Sequence, residues 1–495
     1  MTMTGERGMR MQANRRDFLK GTMWMGAVAA LSGCVTKLAS QPGRMSGFAA
    51  KPVGKLRVGF VGLGMRGPAA VHRYAAIPGA EVAALCDLFP ERVEAQQEWL
   101  RKNGHPAARA YSGEEGWKRL CESELDLVYV ATPWALHAAM GLYAMEHGKH
   151  VAIEVPAAMT LEECWALVET SERTGRHCMQ LENCGYGEAE MLCLNLVRNG
   201  YFGEIYYGEG GYVHDLRELN FLDPKAGGYQ GYWRLKWNES HLGNPYPTHG
   251  LVPVMQAMNI NRGDRMEYLT CVQTDPRSLD EYAAAKFGPE SWQAKVNPRC
   301  GDHSTTMIRT VKGKMIVVQH NVVNARPYSR INKVCGMRGM FEGINFPEKP
   351  EDYVWAGDAV HFSHEEAVGA GAHCYDNFER LQKVREEYRH PLWRAAGELA
   401  QKIGGHGGMD FLMDLRLAYC LQNGEPLDMD VYDLASSCSL CELSERSVRL
   451  RGQSVEVPDF TRGGWKTAKP LGIVSVDVEK LGIKDVQRDE AQLNV

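Results

Sequence analysis

The chain has 495 residues, enough for two or three domains. Hydrophobic residues make up 44%, charged residues 24%, and the net charge is −5, which excludes a disordered chain, a basic nucleic-acid binder and a polybasic membrane binder. The 14 cysteines are too sparse and irregular for a disulfide framework, and the close pair Cys438 and Cys441 reads as two packed thiols rather than a zinc or redox site.

Residues 1–33 read as an address. Arg15-Arg16-Asp17-Phe18-Leu19-Lys20 is a twin-arginine pattern, followed by an apolar run, Gly21 to Ala30, too short to span a bilayer. Leu31-Ser32-Gly33-Cys34 resembles a lipobox, which implies cleavage before Cys34, lipidation of its sulfur and a cell-envelope location in the periplasm. Plain signal-peptidase cleavage is the alternative there. Twin-arginine export carries folded proteins, so a nucleotide acquired inside the cell has to stay bound and be regenerated within each turnover. Residues 34–54, rich in Gly, Ser, Pro and Lys, read as a flexible tether.

A nucleotide-binding domain is expected over 55–182. The β-branched run Arg57 to Val61 enters Gly62-Leu63-Gly64-Met65-Arg66-Gly67, and a helix-like segment follows, the context that a dinucleotide fingerprint requires. Gly62 permits the tight turn, Gly64 lets the backbone approach a pyrophosphate, and Gly67 lets helix and strand pack closely. The next strand, Glu81 to Cys86, ends at Asp87, about twenty residues on, where a carboxylate accepts from both ribose hydroxyls. No Arg or Lys follows Asp87 directly, which favours NAD over NADP. Further strands are expected from Leu125 to a break at Pro133, from His150 to Pro156 and at His177–Leu181, alternating with helices. This βαβ pattern predicts an α/β, doubly wound parallel sheet.

Here the chain resembles the Gfo/Idh/MocA oxidoreductase family, on the glycine motif, Cys86-Asp87, Ala131-Thr132-Pro133-Trp134-Ala135-Leu136-His137 and Glu154-Val155-Pro156. The likeness continues to Gly407-Gly408-Met409-Asp410 and Gly424-Glu425-Pro426. That family usually has Lys where Val155 stands, and valine cannot assist proton transfer from a sugar hydroxyl.

From Gly203 onward the pattern changes to period-two strands with long loops, predicting an α+β domain over 183–460 with an open, mostly antiparallel sheet. Strands are expected at Tyr206–His214, Met266–Gln273, His303–Thr310, Met315–Asn321 and Lys333–Gly336. Tyr246-Pro247-Thr248-His249-Gly250-Leu251, followed by Asn261-Arg262-Gly263-Asp264-Arg265, resembles the central motif of glycoside hydrolase family 109, and Glu154-Val155-Pro156 agrees with it. The known activity of that family is α-N-acetylgalactosaminidase.

The resemblance implies an NAD-dependent glycosidase, a recognised exception to two-carboxylate hydrolysis. C3 of the sugar is oxidised, the ketone acidifies C2–H, the C1 substituent is eliminated, water adds, and C3 is reduced again. His249 is the expected acid/base, because imidazole titrates near neutrality. Tyr246 would touch both cofactor and sugar, and Tyr328 matches a family substrate residue that relays a proton or holds a hydroxyl. Tyr212, Arg234, Pro247 and Thr248 complete the implied substrate site. Met65, Arg66, Asp87, Trp134, Ala135, Leu136, His137, Glu154, Val155 and Asn183 would line NAD. Read without the resemblance, Tyr212 and Tyr328 suit core positions equally, and Arg234 suits a structural cation–π partner. An exported sugar oxidoreductase that keeps its cofactor is the competing function.

Residues 348–400 read as an insertion that packs over the site or joins copies of the chain in a homo-oligomer. The helix Gly408 to Asn423 carries an apolar stripe (Phe411, Leu412, Leu415, Leu417) suited to packing between domains. Residues 461–495 read as a tail of loops and short strands. The expected partner is a glycan with terminal N-acetylgalactosamine. No nucleic acid and no metal is expected, and membrane contact comes only through the lipid anchor.

Overall fold

Six short strands form the first sheet in the computed structural model, which describes residues 42–355, 358–369, 374–477 and 479. The twin-arginine segment and Cys34 lie outside the described residues. The strands are β1 (Leu56–Val61), β2 (Ala80–Asp87), β3 (Arg109–Ser112), β4 (Leu127–Val130), β5 (His150–Ile153) and β6 (Cys178–Gln180). They pair in the order β3-β2-β1-β4-β5-β6, all parallel. β1 leads outward to β2 on one side and pairs with β4 on the other. This reversal opens a crevice at the carboxyl ends, where such sheets bind ligands.

The second sheet contains β7 (Ile205–Val213), β8 (Met266–Gln273), β9 (Ser304–Thr310), β10 (Met315–Asn321), β11 (Lys333–Gly336), β12 (Gly339–Glu342), β13 (His361–His364) and β14 (Val455–Glu456). Its order is β13-β12-β11-β7-β10-β9-β8-β14. Only β7 and β10 run parallel within it, so the sheet is mixed and mostly antiparallel. The start of the helix Thr248–Ala257 lies directly on β7, backbone against backbone at Gly250. A Cβ on Gly250 would meet the Gly211 nitrogen at 2.1 Å, and one on Gly210 would meet the Gly250 oxygen at 2.0 Å. That glycine-to-glycine seat fixes where the helix begins.

Two late helices complete the first domain. Met409–Asn423 buries Phe411, Leu412, Leu415 and Leu417 in one cluster with Leu56, Val58, Phe60 and Tyr74. Val431–Arg449 is started by an Asp430 capping box and buries Val431, Tyr432, Leu434 and Cys438 with Val61, Val130 and Leu167.

Three expectations are corrected. Residues 42–53 are docked rather than a free tether: Gly43 N donates to Thr461 O at 2.9 Å, Met45 N to the Tyr432 hydroxyl at 3.2 Å, and Val53 N to Leu421 O at 3.0 Å. Met45 is buried, and the Phe48 ring packs on His177. The described part of 348–400 is not a cover over the site. It supplies β13 and the helices Phe378–Tyr388 and Pro391–Ile403, and Trp393 is buried with its Nε1 donating to Tyr186 O at 2.9 Å. The beginning of the expected tail also packs on the body, through Arg198 donating to Leu471 O and Arg416 to Ser475 O.

Candidate active site

The turn after β1 is built for an anion. The helix Gly67–Ala75 has no side-chain cap at its start, so its first N–H groups and dipole are available. A Cβ on Gly67 would strike the Gly62 oxygen at 1.9 Å, whereas the nearest atom to one on Gly64 is Arg92 Nη1 at 3.5 Å. Asp87 accepts from Leu63 N at 2.7 Å and Phe89 N at 3.0 Å, which leaves lone pairs on both oxygens for ribose hydroxyls. These features fit a dinucleotide. Met65, Ala135 and Leu136 are exposed at the rim of the crevice.

Folding adds a cation that the sequence order concealed. Arg92 lies 3.5 Å from Asp87, held over the Phe89 ring and against Gln230. The absence of a basic residue directly after Asp87 is therefore a weaker argument for NAD than it looked. The carboxylate itself, positioned by two backbone N–H groups, is what disfavours a 2′-phosphate.

Around the far side of the crevice, five expected residues come together. The Tyr212 and Tyr246 ring centroids are 4.6 Å apart, and His249 lies 5.2 Å from Tyr212 and 4.9 Å from Tyr246. Tyr328 stands 6.4 Å from Tyr212. Arg234 is buried among Trp134, Tyr212, Tyr229 and Tyr246, each centroid within about 6 Å of its guanidinium. Its Nη1 donates to the Tyr229 hydroxyl at 2.9 Å, and its Nη2 has no partner. A buried, unpartnered guanidinium nitrogen is costly unless a ligand oxygen meets it. Val155 packs in the same apolar cluster as Trp134, Tyr212 and Tyr246.

His249 is gripped from behind. Its Nδ1 lies 2.7 Å from Glu182 Oε1, and its Nε2 lies 3.4 Å from the Tyr246 hydroxyl. Glu182 has no exposed side-chain surface. Burial pushes its carboxyl up, but His249, the Thr248 hydroxyl and the Cys184 N–H together bring it below the usual glutamate range. Nδ1–H donating to that carboxylate leaves Nε2 as the acceptor facing the aromatic wall. Burial raises the phenols of Tyr246 and Tyr328 above their ordinary value, so both hold their protons at neutral pH. The Tyr328 hydroxyl accepts from Arg330 Nη1 at 3.1 Å, and Arg330 Nε in turn donates to Glu190 at 2.7 Å.

The remaining expected residues stand differently. Thr248 is fully buried, so its side chain does not meet a sugar, and Pro247 is a buried helix-start residue. His137 does not face the crevice: Nδ1 lies 2.8 Å from Pro156 O and Nε2 2.6 Å from Thr132 O. Burial lowers its basicity, and a neutral ring carries one N–H, so it donates to only one of these two carbonyls while sitting between the loops after β4 and β5. Arg66 Nε donates to Glu154 at 3.2 Å, and Asn183 is buried next to the end of β6.

Glu182 and Tyr229 are the residues that sequence reasoning did not assign to the site. The position of Glu182 at the carboxyl end of β6 was the available signal. Glu182, Cys184 and His249 also offer ligand-type atoms within 4.8 Å of one another. The direct Glu182–His249 hydrogen bond uses the two atoms best suited to a metal, and burial holds the Cys184 thiol protonated.

Comparison with known proteins agrees with this geometry. Residues 186–467 match the family model "Glycosyl hydrolase 109, C-terminal domain", and residues 56–181 match "Oxidoreductase family, NAD-binding Rossmann fold". An α-N-acetylgalactosaminidase of Bacteroides fragilis is 45% identical over 421 residues, 85% of this chain and 95% of that one. A glycosyl hydrolase family 109 protein of Porphyromonas gingivalis is 47% identical over 416 residues, 84% of this chain and 86% of that one. Among solved structures, an inositol dehydrogenase homolog from Azotobacter vinelandii, complexed with NADH and myo-inositol, aligns with TM-score 0.56 at 20% identity over 82% of this chain and 98% of that one. An aldose-aldose oxidoreductase from Caulobacter crescentus aligns with TM-score 0.55 at 18% identity over 81% of this chain and 99% of that one. At such identities the two structures speak to the fold alone.

Proposed function

The chain belongs to glycoside hydrolase family 109 and is an NAD-dependent glycosidase; from that premise we propose that it removes terminal α-linked N-acetylgalactosamine from glycans. The observation that carries the reading is His249, held by a buried carboxylate with its free nitrogen turned toward the Tyr212–Tyr246 wall.

Gly62, Gly64, Gly67, Asp87 and the uncapped helix start would hold the dinucleotide, with Met65, Arg66, Trp134, Glu154, Val155 and Asn183 around it. When bound, NAD⁺ supplies a hydride acceptor and donor at C3 of the sugar, which makes C2–H acidic. His249 Nε2 takes a proton, because the neighbouring phenols stay protonated. Tyr246 and Tyr328 then act as hydrogen-bond donors, Tyr328 toward an oxygen that gains charge as the C1 bond breaks. Arg234 Nη2 meets a sugar oxygen or the acetamido carbonyl. The aromatic wall excludes water from the ring face. Ordinary two-acid hydrolysis is disfavoured because the carboxylates acting on Tyr246 are already engaged: Glu182 by His249, and Glu154 by Arg66 and Tyr129.

The test is an aryl α-N-acetylgalactosaminide incubated with purified protein in deuterated water, without added NAD. Release of the aryl group with deuterium at C2 is expected. No release from any aryl glycoside overturns the reading in favour of a sugar oxidoreductase. We further propose twin-arginine export and a lipid anchor at Cys34, supported by the sequence alone. Cys34→Ser should move the protein from the membrane fraction to the soluble fraction.

A further inference from the structure

Five residues in a row, Gly404 to Gly408, have φ of 92°, 87°, 48°, 71° and 104°, a left-handed stretch that glycine adopts far more readily than other residues. The loop folds back so tightly that a Cβ on Gly405 would lie 2.6 Å from Asp410 Cβ. Its effect is to seat Asp410, with no side-chain exposure, at the start of the helix Met409–Asn423.

From that seat Asp410 reaches across to the first domain. Its Oδ2 accepts from Arg66 Nη2 at 3.1 Å, and its Oδ1 accepts from Asn183 Nδ2 at 2.5 Å. Arg66 also pairs with Glu154, so one carboxylate links the residues read as lining the nucleotide at the ends of β1, β5 and β6. The same helix supplies Asp414, which accepts from Arg73 Nε at 2.7 Å, and Arg73 lies in the phosphate-facing helix Gly67–Ala75. His406, on the exposed side of the loop, has Nδ1 3.0 Å from Asp410 Oδ2. Thus the segment 404–414 clamps the glycine turn at two points. Asp410 touches none of the reacting groups, and the proposed catalytic cycle gives it no role.

We propose that Asp410, presented by the Gly404–Gly408 loop, is a positioning residue that retains NAD between turnovers by fixing Arg66 and Asn183. This rests on the NAD-dependent reading above, where a cofactor that is reduced and reoxidised within each cycle gains nothing by leaving. A clamp made of charged hydrogen bonds slows opening of the turn, and opening precedes release.

The test uses the full-length protein loaded with NADH and diluted into excess NAD⁺, with loss of bound-NADH fluorescence giving the release rate. Asp410→Asn should release NADH at least about tenfold faster, the scale of one charged hydrogen bond. The NAD concentration for half-maximal glycosidase rate should rise more than kcat falls. His406→Ala, which removes only an exposed ring, should speed release by about two- to fivefold. A folded Asp410→Asn protein with parental release overturns the proposal, as does one whose loss falls on kcat with NAD affinity intact. If Asp410→Asn does not fold, His406→Ala decides, and unchanged release from it is fatal to the idea. Release is measured without a sugar, so a protein that holds NADH yet cleaves no glycoside refutes the glycosidase reading and leaves this one standing.

Discussion

Two helices begin at the same crevice, each with a histidine near its start, and they use it in opposite ways. At the entrance to Trp134–Glu146, His137 has a backbone carbonyl against each ring nitrogen, of which a neutral ring bonds one, and is sealed from solvent. At the entrance to Thr248–Ala257, His249 spends one nitrogen on a buried carboxylate and keeps the other turned toward an aromatic wall. Proximity to a strand end therefore does not make a histidine chemical. What distinguishes them is whether the backbone or an ionised side chain satisfies the ring.

That contrast can be broken most directly at His249. His249→Asn should lower kcat by about a thousandfold, the usual worth of a positioned acid/base, while bound NAD per chain stays unchanged. The glycine seat comes next: Gly250→Ala places a methyl against backbone and should cost about 2–3 kcal/mol in urea unfolding, since neither helix nor strand can yield without moving the site. Glu182→Gln should lower kcat by about ten- to a hundredfold, because the carboxylate that orients the ring is lost.

His137→Asn sharpens the other side. It should cost about 1–2 kcal/mol of stability with kcat at saturating NAD within about threefold of the parent, because only a tie between loops is lost. The histidines as a group set a slope. His137, His72, His150, His177, His320 and His390 all have burial-lowered pKa values, and those of the last five fall to between about 3 and about 4. Each folded value is below the unfolded one, so these groups contribute stability above about pH 6.5 that is lost as pH falls toward the folded values. Melting temperature should decline from about pH 6.5 downward, and a flat curve from 7 to 5 would contradict the burial of these rings.

Much of this could be read from the residues in order. Five of the six strands of the first sheet and five of the second follow from periodicity and Gly or Pro punctuation, which are local signals, whereas the short edge strand β3, with two exposed residues, carries no such signal. Tyr212, Arg234, Tyr246, His249 and Tyr328 were marked by motif resemblance, and they meet in one cluster. Glu182 was passed over because its role depends on a partner 67 residues away, a distance that carries no pattern. Arg92 was invisible for a related reason, since a helical turn brings it back to Asp87. His137 looks ligand-facing in the sequence because it follows a strand end, and the carbonyls against its two nitrogens come from loops that only the fold brings together. Residues 42–53 have the composition of a linker, yet Met45 and Phe48 are enough to dock them.

The late helices carry a consequence for how the protein is made. Phe411, Leu412 and Leu415 cover one face of the first sheet, and Tyr432, Leu434 and Cys438 cover the other. The ribosome completes β6 more than two hundred residues before it reaches either group. At about ten residues per second the half-built sheet waits about twenty seconds or more, with apolar surface bare. Cofactor capture must therefore be nearly the last event in biogenesis, and chaperone demand should peak while translation crosses the second sheet.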